Sequence, residues 1–147
     1  MVYNKIRSIA VVDDNFIELK LIERVIESHY PSIRLYKFQD EHKFLDNIYD
    51  YNNVDLIILD INMPYISGLE ILQQLRQNKI NTPIIIMSTS DELSDVCNAY
   101  EYGANSYITK PVDYEVFKYK IKIMIEYWFM INFPYPNSKL KQNKKNR

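Results

Sequence analysis

The residues of this 147-residue chain best equipped for chemistry are Asp13, Asp14, Asp60, Ser88 and Lys110. Each closes or directly follows a short apolar run. Asp13-Asp14 follow Ser8-Ile9-Ala10-Val11-Val12, Asp60 follows Leu56-Ile57-Ile58-Leu59, Ser88 follows Ile84-Ile85-Ile86-Met87, and Lys110 follows Ser106-Tyr107-Ile108-Thr109. If the runs are parallel strands, their carboxyl ends meet at one mouth, where open α/β sheets bind ligands. Carboxylates crowded there repel one another and stay ionised only beside a cation or a lysine. Magnesium suits such a set, because it takes a few carboxylates, a carbonyl and retained waters. Taken singly, each residue has a plain structural explanation: an Asp pair caps helices, a serine closes turns, a lysine is solvated. Asp60 is the hardest to explain that way, since a carboxylate emerging from four apolar residues needs a partner. The combination at four strand ends carries the inference.

The elements that would position these groups alternate. Five strand-like runs, with Ile33–Phe38 as the second in order, are separated by amphipathic stretches. Phe16, Leu19, Ile22, Val25 and Ile26 recur at helical spacing, and Pro31 lies beyond their end. Phe44, Leu45 and Ile48 suggest a short second helix; Leu69, Leu72 and Leu75 stripe a third. Leu93, Val96, Cys97 and Tyr100 stripe a fourth, with Gly103 at the position of a helix C-cap. A last helix is expected over about 113–131. Unalternated apolar strands are the mark of strands buried on both faces, and the repeated strand-helix order implies a mostly parallel sheet covered by helices on both sides.

Composition is that of one ordinary domain, with 47% apolar and 25% charged residues. The single cysteine, Cys97, excludes an internal disulfide and a thiolate cluster, and a packing role in its helix is expected. No secretory pattern follows Met1 and no run of eighteen apolar residues occurs, so a soluble cytoplasmic protein is expected. The formal charge of −1 hides an asymmetry: Lys139, Lys141, Lys144, Lys145 and Arg147 crowd the last nine residues, leaving a body of 13 basic and 19 acidic groups. An acidic body argues against DNA binding by the globular part. The stretch 132–147 is expected to be a polar, flexible basic tail.

The segments Val11-Val12-Asp13-Asp14-Asn15, Leu59-Asp60-Ile61-Asn62-Met63-Pro64, Gly68, Ser88 and Tyr107-Ile108-Thr109-Lys110-Pro111 resemble those of response-regulator receiver domains, over roughly residues 6–131. The resemblance implies a flavodoxin-like α/β fold, a doubly wound five-stranded parallel sheet of strand order 2-1-3-4-5. It implies Asp60 as phosphoacceptor, taking a phosphoryl group from a sensor histidine kinase, a phosphotransfer protein or a small donor. Asp14 and Asp60 would bind Mg2+ directly, with the Asn62 carbonyl, while Asp13 would hold a coordinated water. Lys110 would pair with Asp60 and then with the phosphoryl group, and the Lys110-Pro111 bond resembles one commonly cis. Ser88 and Tyr107 would form the switch. Thr89 departs from the family's usual very small residue and would crowd the pocket or the path of Tyr107.

Only about sixteen residues follow the last helix, so the expected output is a contact with a downstream protein made by the domain's own surface, or onward phosphoryl relay. The last helix carries a core stripe of Phe117, Ile121, Met124 and Trp128. Tyr119, Ile123, Tyr127, Met130 and Ile131 add apolar surface elsewhere, more than one buried stripe requires. By resemblance, the face of the fourth helix, fifth strand and fifth helix would serve homodimers or targets; the alternative is that Phe133, Tyr135 and Leu140 fold back over it. Two rival classes fit less well. Haloacid-dehalogenase-type phosphatases place two aspartates two residues apart after the first strand, and FMN carriers need a phosphate-cradling loop where Asp13 and Asp14 would repel phosphate.

Overall fold

The computed structural model describes residues 7–47 and 54–132. The expected residue Ile48, the fold-back segment with Phe133, Tyr135 and Leu140, and the basic tail from residue 133 lie outside the described residues. The elements in order are β1 (Ser8–Val12), α1 (Phe16–His29), β2 (Arg34–Phe38), α2 (Glu41–Asp46), β3 (Leu56–Asp60), α3 (Gly68–Gln77), β4 (Ile84–Ser88), α4 (Leu93–Glu101), β5 (Ser106–Thr109) and α5 (Tyr114–Glu126). The five strands pair in parallel in the order β2-β1-β3-β4-β5, the flavodoxin-like arrangement expected.

Alternation along the strands divides the core in two. Ile9, Val11, Leu56, Ile58, Ile85 and Met87 face one side, where Leu19, Ile22, Val25 and Ile26 of α1 and Phe117, Ile121, Met124 and Ile125 of α5 cover them. Ala10, Val12, Ile57, Leu59, Ile84 and Ile86 face the other, against Phe44 of α2, Ile71, Leu72 and Leu75 of α3, and Ala99 of α4. Both faces of the three central strands are therefore dry, which is why their sequences lack a polar alternate.

Side-chain caps start four of the five described α-helices: Asn15, Asp40, Ser67 and Asp113 each accept hydrogen bonds from backbone amides of the following turn, while α4 begins at Glu92 without one. The C-terminus of α4 closes as expected at Gly103, whose φ of 103° suits glycine. Gly103 N donates to Tyr100 O and Ala104 N to Ala99 O, the paired bonds of a Schellman cap. The same motif ends α3, but the left-handed position there is Lys79, with φ 59°; its N–H reaches Arg76 O and that of Ile80 reaches Leu75 O.

Four expectations need correction. Of α4, only Ala99 is buried; Leu93, Cys97 and Tyr100 are exposed, so Cys97 has no packing role. A nine-residue helix whose small Ala99 sits on the sheet leaves Leu93, Cys97 and Tyr100 in water and Val96 half-buried. Phe16 is likewise exposed, because it opens α1 above the sheet edge. The last helix does not run regularly to Ile131: after Glu126 it widens into a π-helical turn, Tyr127–Ile131, closed by Asn132 N to Tyr127 O at 2.7 Å. Arg7, just before β1, holds this turn through a hydrogen bond to Phe129 O and by stacking on the Phe129 ring. Finally, the Lys110-Pro111 bond is trans, as are all peptide bonds among the described residues; the lysine is aimed by strand register and ion pairs instead.

Candidate functional site: an acidic pocket at the strand ends

Strand register builds the site. Val12 pairs with Leu59, which brings Asp13 level with Asp60 on the adjacent strand. Asp60 pairs with Met87, so Ser88 is one step further on. Ser88 pairs with Thr109, and Lys110 N donates to Ser88 O at 2.8 Å. Four consecutive neighbours in the sheet thus deliver two aspartates, a serine and a lysine to one edge. Asp14 follows in the loop, exposed, and completes a set of three carboxylates, each offering one oxygen within 4.8 Å of the other two.

The β3–α3 loop turns directly over Asp60. Gly68 N donates to Ile61 O at 3.1 Å, which seats Gly68 against the end of β3. A Cβ there would lie 2.0 Å from the Asp60 carbonyl oxygen, so no other residue fits without moving the acceptor strand.

Asp13, Asp60 and Ser88 are buried, and so is the side chain of Lys110. Lys110 Nζ lies 3.0 Å from Asp13 Oδ2, 2.5 Å from Glu18 Oε2 and 3.2 Å from Asp60 Oδ1. Its three N–H donors thereby have three carboxylate partners. Burial alone would lower the lysine's pKa, but the charges of Asp13 and Asp60, with Glu18, outweigh it and hold the ammonium above the ordinary lysine range. The carboxyls respond in the opposite sense. Burial, helped by a hydrogen bond with Glu18, pushes Asp13 up to about 7 against the pull of Lys110. Burial and the neighbouring Asp13 charge push Asp60 up to about 6, again opposed by Lys110. The pocket holds more negative charge than one lysine neutralises. Its donors are all hard oxygens, which fits a small divalent cation.

Ser88 is fully buried and accepts a hydrogen bond from Ser90 N at 3.1 Å. Ser90 in turn accepts the Tyr107 hydroxyl on its carbonyl at 2.8 Å and donates its own hydroxyl to Asp95, in the first turn of α4, at 2.6 Å. Tyr107 is half-buried beside the α4 face of the core. Thr89 is exposed, and so is Asn62, whose N–H reaches Asp60 Oδ1 at a long 3.4 Å. Of the residues singled out in the sequence, Asp13, Asp14, Asp60, Ser88 and Lys110 converge as expected.

The sequence reading missed Glu18. Asn15-Phe16-Ile17-Glu18 spells a helix capping box, in which Glu18 would return to the Asn15 amide. That amide is taken instead by Asp13 Oδ1 at 2.8 Å. Glu18 is free to reach Lys110, a contact spanning 92 residues of sequence. The cue was present but pointed to a local role.

Fold and site together define a doubly wound α/β domain with a cation-ready acidic pocket around a buried aspartate-lysine pair. The model of the response regulator receiver domain matches residues 9–122. The cell cycle transcriptional regulator CtrA of Caulobacter vibrioides is 37% identical over 103 residues, 70% of this chain and 43% of that protein. Among solved structures, the phosphorylated cyanobacterial phytochrome response regulator RcpA superposes with a TM-score of 0.82 at 24% identity, covering 90% of this chain and 100% of that one. The Mn2+-bound form of the response regulator Rcp1 gives 0.79 at 22% identity, covering 88% and 99%. The chain belongs to the response-regulator receiver-domain family. It spans about half the length, or less, of the curated relatives it matches.

Proposed function

We propose that this receiver accepts a phosphoryl group on Asp60 from a sensor histidine kinase or a phosphotransfer protein, in the cytoplasm, and thereby switches a protein-binding surface. The observation that carries the reading is the buried Asp60 carboxylate, 3.2 Å from Lys110 Nζ and crowded by Asp13 and Asp14. An Asp60 oxygen attacks phosphorus, the bond from phosphorus to the donor's imidazole nitrogen breaks, and its electron pair stays on that nitrogen. Lys110 moves from the carboxylate to a phosphoryl oxygen. Asp13, Asp14, Asp60 and the Asn62 carbonyl would hold Mg2+, which supplies the positive charge such a transfer needs. The Mn2+ in the similar Rcp1 structure supports a divalent cation in this chemistry.

The switch reading rests on Ser90. Turning the Ser88 hydroxyl toward a phosphoryl oxygen releases the Ser90 amide, and Ser90 holds both Tyr107 and α4. The surface that would change is formed by α4, β5, α5 and the turn after it, where Leu93, Tyr100, Val116, Ile123, Tyr127 and Met130 are exposed. A homodimer through this face is the form most simply tested. Light scattering with and without beryllofluoride should show phosphoryl-dependent association that Ile123→Glu abolishes.

The acceptor is tested directly. Incubated with acetyl phosphate and Mg2+, the protein should gain one phosphoryl group located at Asp60 by mass spectrometry, and Asp60→Asn should gain none. Undiminished labelling of Asp60→Asn would refute the assignment.

A further inference from the structure

Glu41, the first residue of α2, is a buried carboxylate at 2% exposure, and among the described residues it forms no ion pair. Its partners are backbone amides: Oε1 accepts from Tyr65 N at 2.9 Å and from Ile66 N at 3.1 Å. Burial alone would raise its pKa, but these amides and its own, with His42 nearby, hold it below the ordinary glutamate range, so the side chain is an anion at neutral pH. A buried anion satisfied only by main-chain donors is costly unless those donors are fixed, and fixing them orders the segment that carries them.

That segment is the β3–α3 loop. It leaves the sheet at Asp60, carries Asn62 two residues on, and returns at Gly68 under the Asp60 carbonyl. Its two ends are tied to Ile61 O by Met63 N and Gly68 N, both at 3.1 Å. Tyr65 and Ile66, between those ties, are held by Glu41. Among the described residues, Asn62 itself is held only by the long bond from its N–H to Asp60 Oδ1. The neighbouring frame is tied by a cap, a ring contact and a backbone hydrogen bond. The Asp40 side chain caps α2, Phe44 of the next turn is fully buried against Phe38, and Asp13 N donates to Phe38 O at the end of β2. Glu41 therefore links the β2–α2 corner, next to Asp13, to the loop that begins at Asp60.

We propose that Glu41 is a positioning residue for the cation site, holding the β3–α3 loop so that the Asn62 carbonyl faces the pocket of Asp13, Asp14 and Asp60. The inference rests on the reading of that pocket as a Mg2+ site. It assigns part of the site's affinity to a side chain that touches neither the cation nor the phosphoryl group. Supporting groups of this kind commonly govern about ten-fold or more of metal affinity.

The test is Mg2+ titration of the whole chain by calorimetry, on wild type and on Glu41→Gln, Glu41→Asp and Glu41→Ala, each confirmed folded by circular dichroism. Glutamine keeps an acceptor oxygen at the same reach and should stay within about three-fold of wild type, whereas Asp and Ala should weaken binding about ten-fold. Amide hydrogen exchange at Tyr65 and Ile66 should speed up in the two weakened variants and not in Glu41→Gln. If Glu41→Ala does not fold, Glu41→Asp decides. Wild-type affinity in Glu41→Asp, with only a lower melting temperature, would overturn the inference and leave Glu41 as a structural clamp. A wild-type protein that binds no Mg2+ at millimolar concentration would overturn the pocket reading itself, and this inference with it.

Discussion

The ammonium of Lys110 lies 2.5 Å from Glu18 Oε2, nearer than to Asp60 Oδ1 at 3.2 Å. The residue proposed to serve the phosphoacceptor is thus shared with a carboxylate one turn into α1, and Glu18 also raises the proton affinity of Asp13. Replacing Glu18 by Gln should lower the titration midpoint of Asp13 from about 7, because a hydrogen-bonded, negatively charged neighbour is lost. Carbon-detected NMR of the metal-free protein reads this directly. An unmoved Asp13 midpoint would show that the Glu18 contact is not formed in solution.

The pH dependence has a definite sign. Asp13 and Asp60 keep their protons to about 7 and about 6 when folded, against 3.8 ordinarily. Between those values the folded state binds more protons than the unfolded one, so stability falls as pH rises through the window. The loss is complete above about 7. The raised Lys110 acts only above the lysine range, and the lowered Glu41 only below the glutamate range. The urea midpoint of metal-free protein should therefore drop from pH 5 to pH 8, and saturating Mg2+ should reverse the drop. A flat profile without metal would contradict the buried-acid description.

Two helix ends offer an opposed pair of variants. Lys79 occupies the left-handed position that closes α3, which costs a side chain of its kind on the order of 1 kcal/mol. Lys79→Gly should stabilise by roughly that amount. Gly103→Ala should destabilise by about 1–3 kcal/mol, since its φ is 103° and a Cβ would lie 3.1 Å from Arg76 Cγ. Arg76 has no room to yield, because its guanidinium already donates to the carbonyls of Ile80, Thr82 and Gly103. Urea denaturation orders the three proteins. Equal midpoints would mean that the caps relax.

Thr89 is exposed immediately after buried Ser88. Thr89→Ala should speed phosphorylation or dephosphorylation by clearing the approach to Asp60, as followed by phosphate release and acetyl-phosphate labelling. Unchanged rates in both directions would show that the branched side chain does not crowd the pocket.

Trp128 lies in the π-helical turn that Arg7 anchors at the start of β1, whereas Asp13 follows the end of that strand. The five residues of β1 separate these levels by roughly 17 Å at about 3.3 Å per residue. Mg2+ should leave tryptophan emission nearly unchanged while calorimetry reports binding. Strong saturable quenching would contradict the placement.

What the sequence determined by itself is whatever local pattern can encode. Runs such as Leu56–Leu59 lack a polar alternate because both sheet faces are covered, so strands, parallel order and the strand-end positions of Asp13, Asp60, Ser88 and Lys110 were legible. The C-cap at Gly103 was legible for the same reason, since capping depends on a few adjacent residues. Only the tertiary structure decided which of two chemically adequate partners a side chain takes. Glu18 abandons a cap for a lysine 92 residues away, and Glu41 spans 24 residues to the amide of Tyr65. The same holds for the apolar stripe of α4, which reads as a packing face although only Ala99, outside the stripe, is buried. It holds too for the end of α5, where Arg7, brought near by β1, holds the widened turn. Burial and pairing energies depend on which surfaces meet, and periodicity along one helix says that a face is apolar without saying what will cover it.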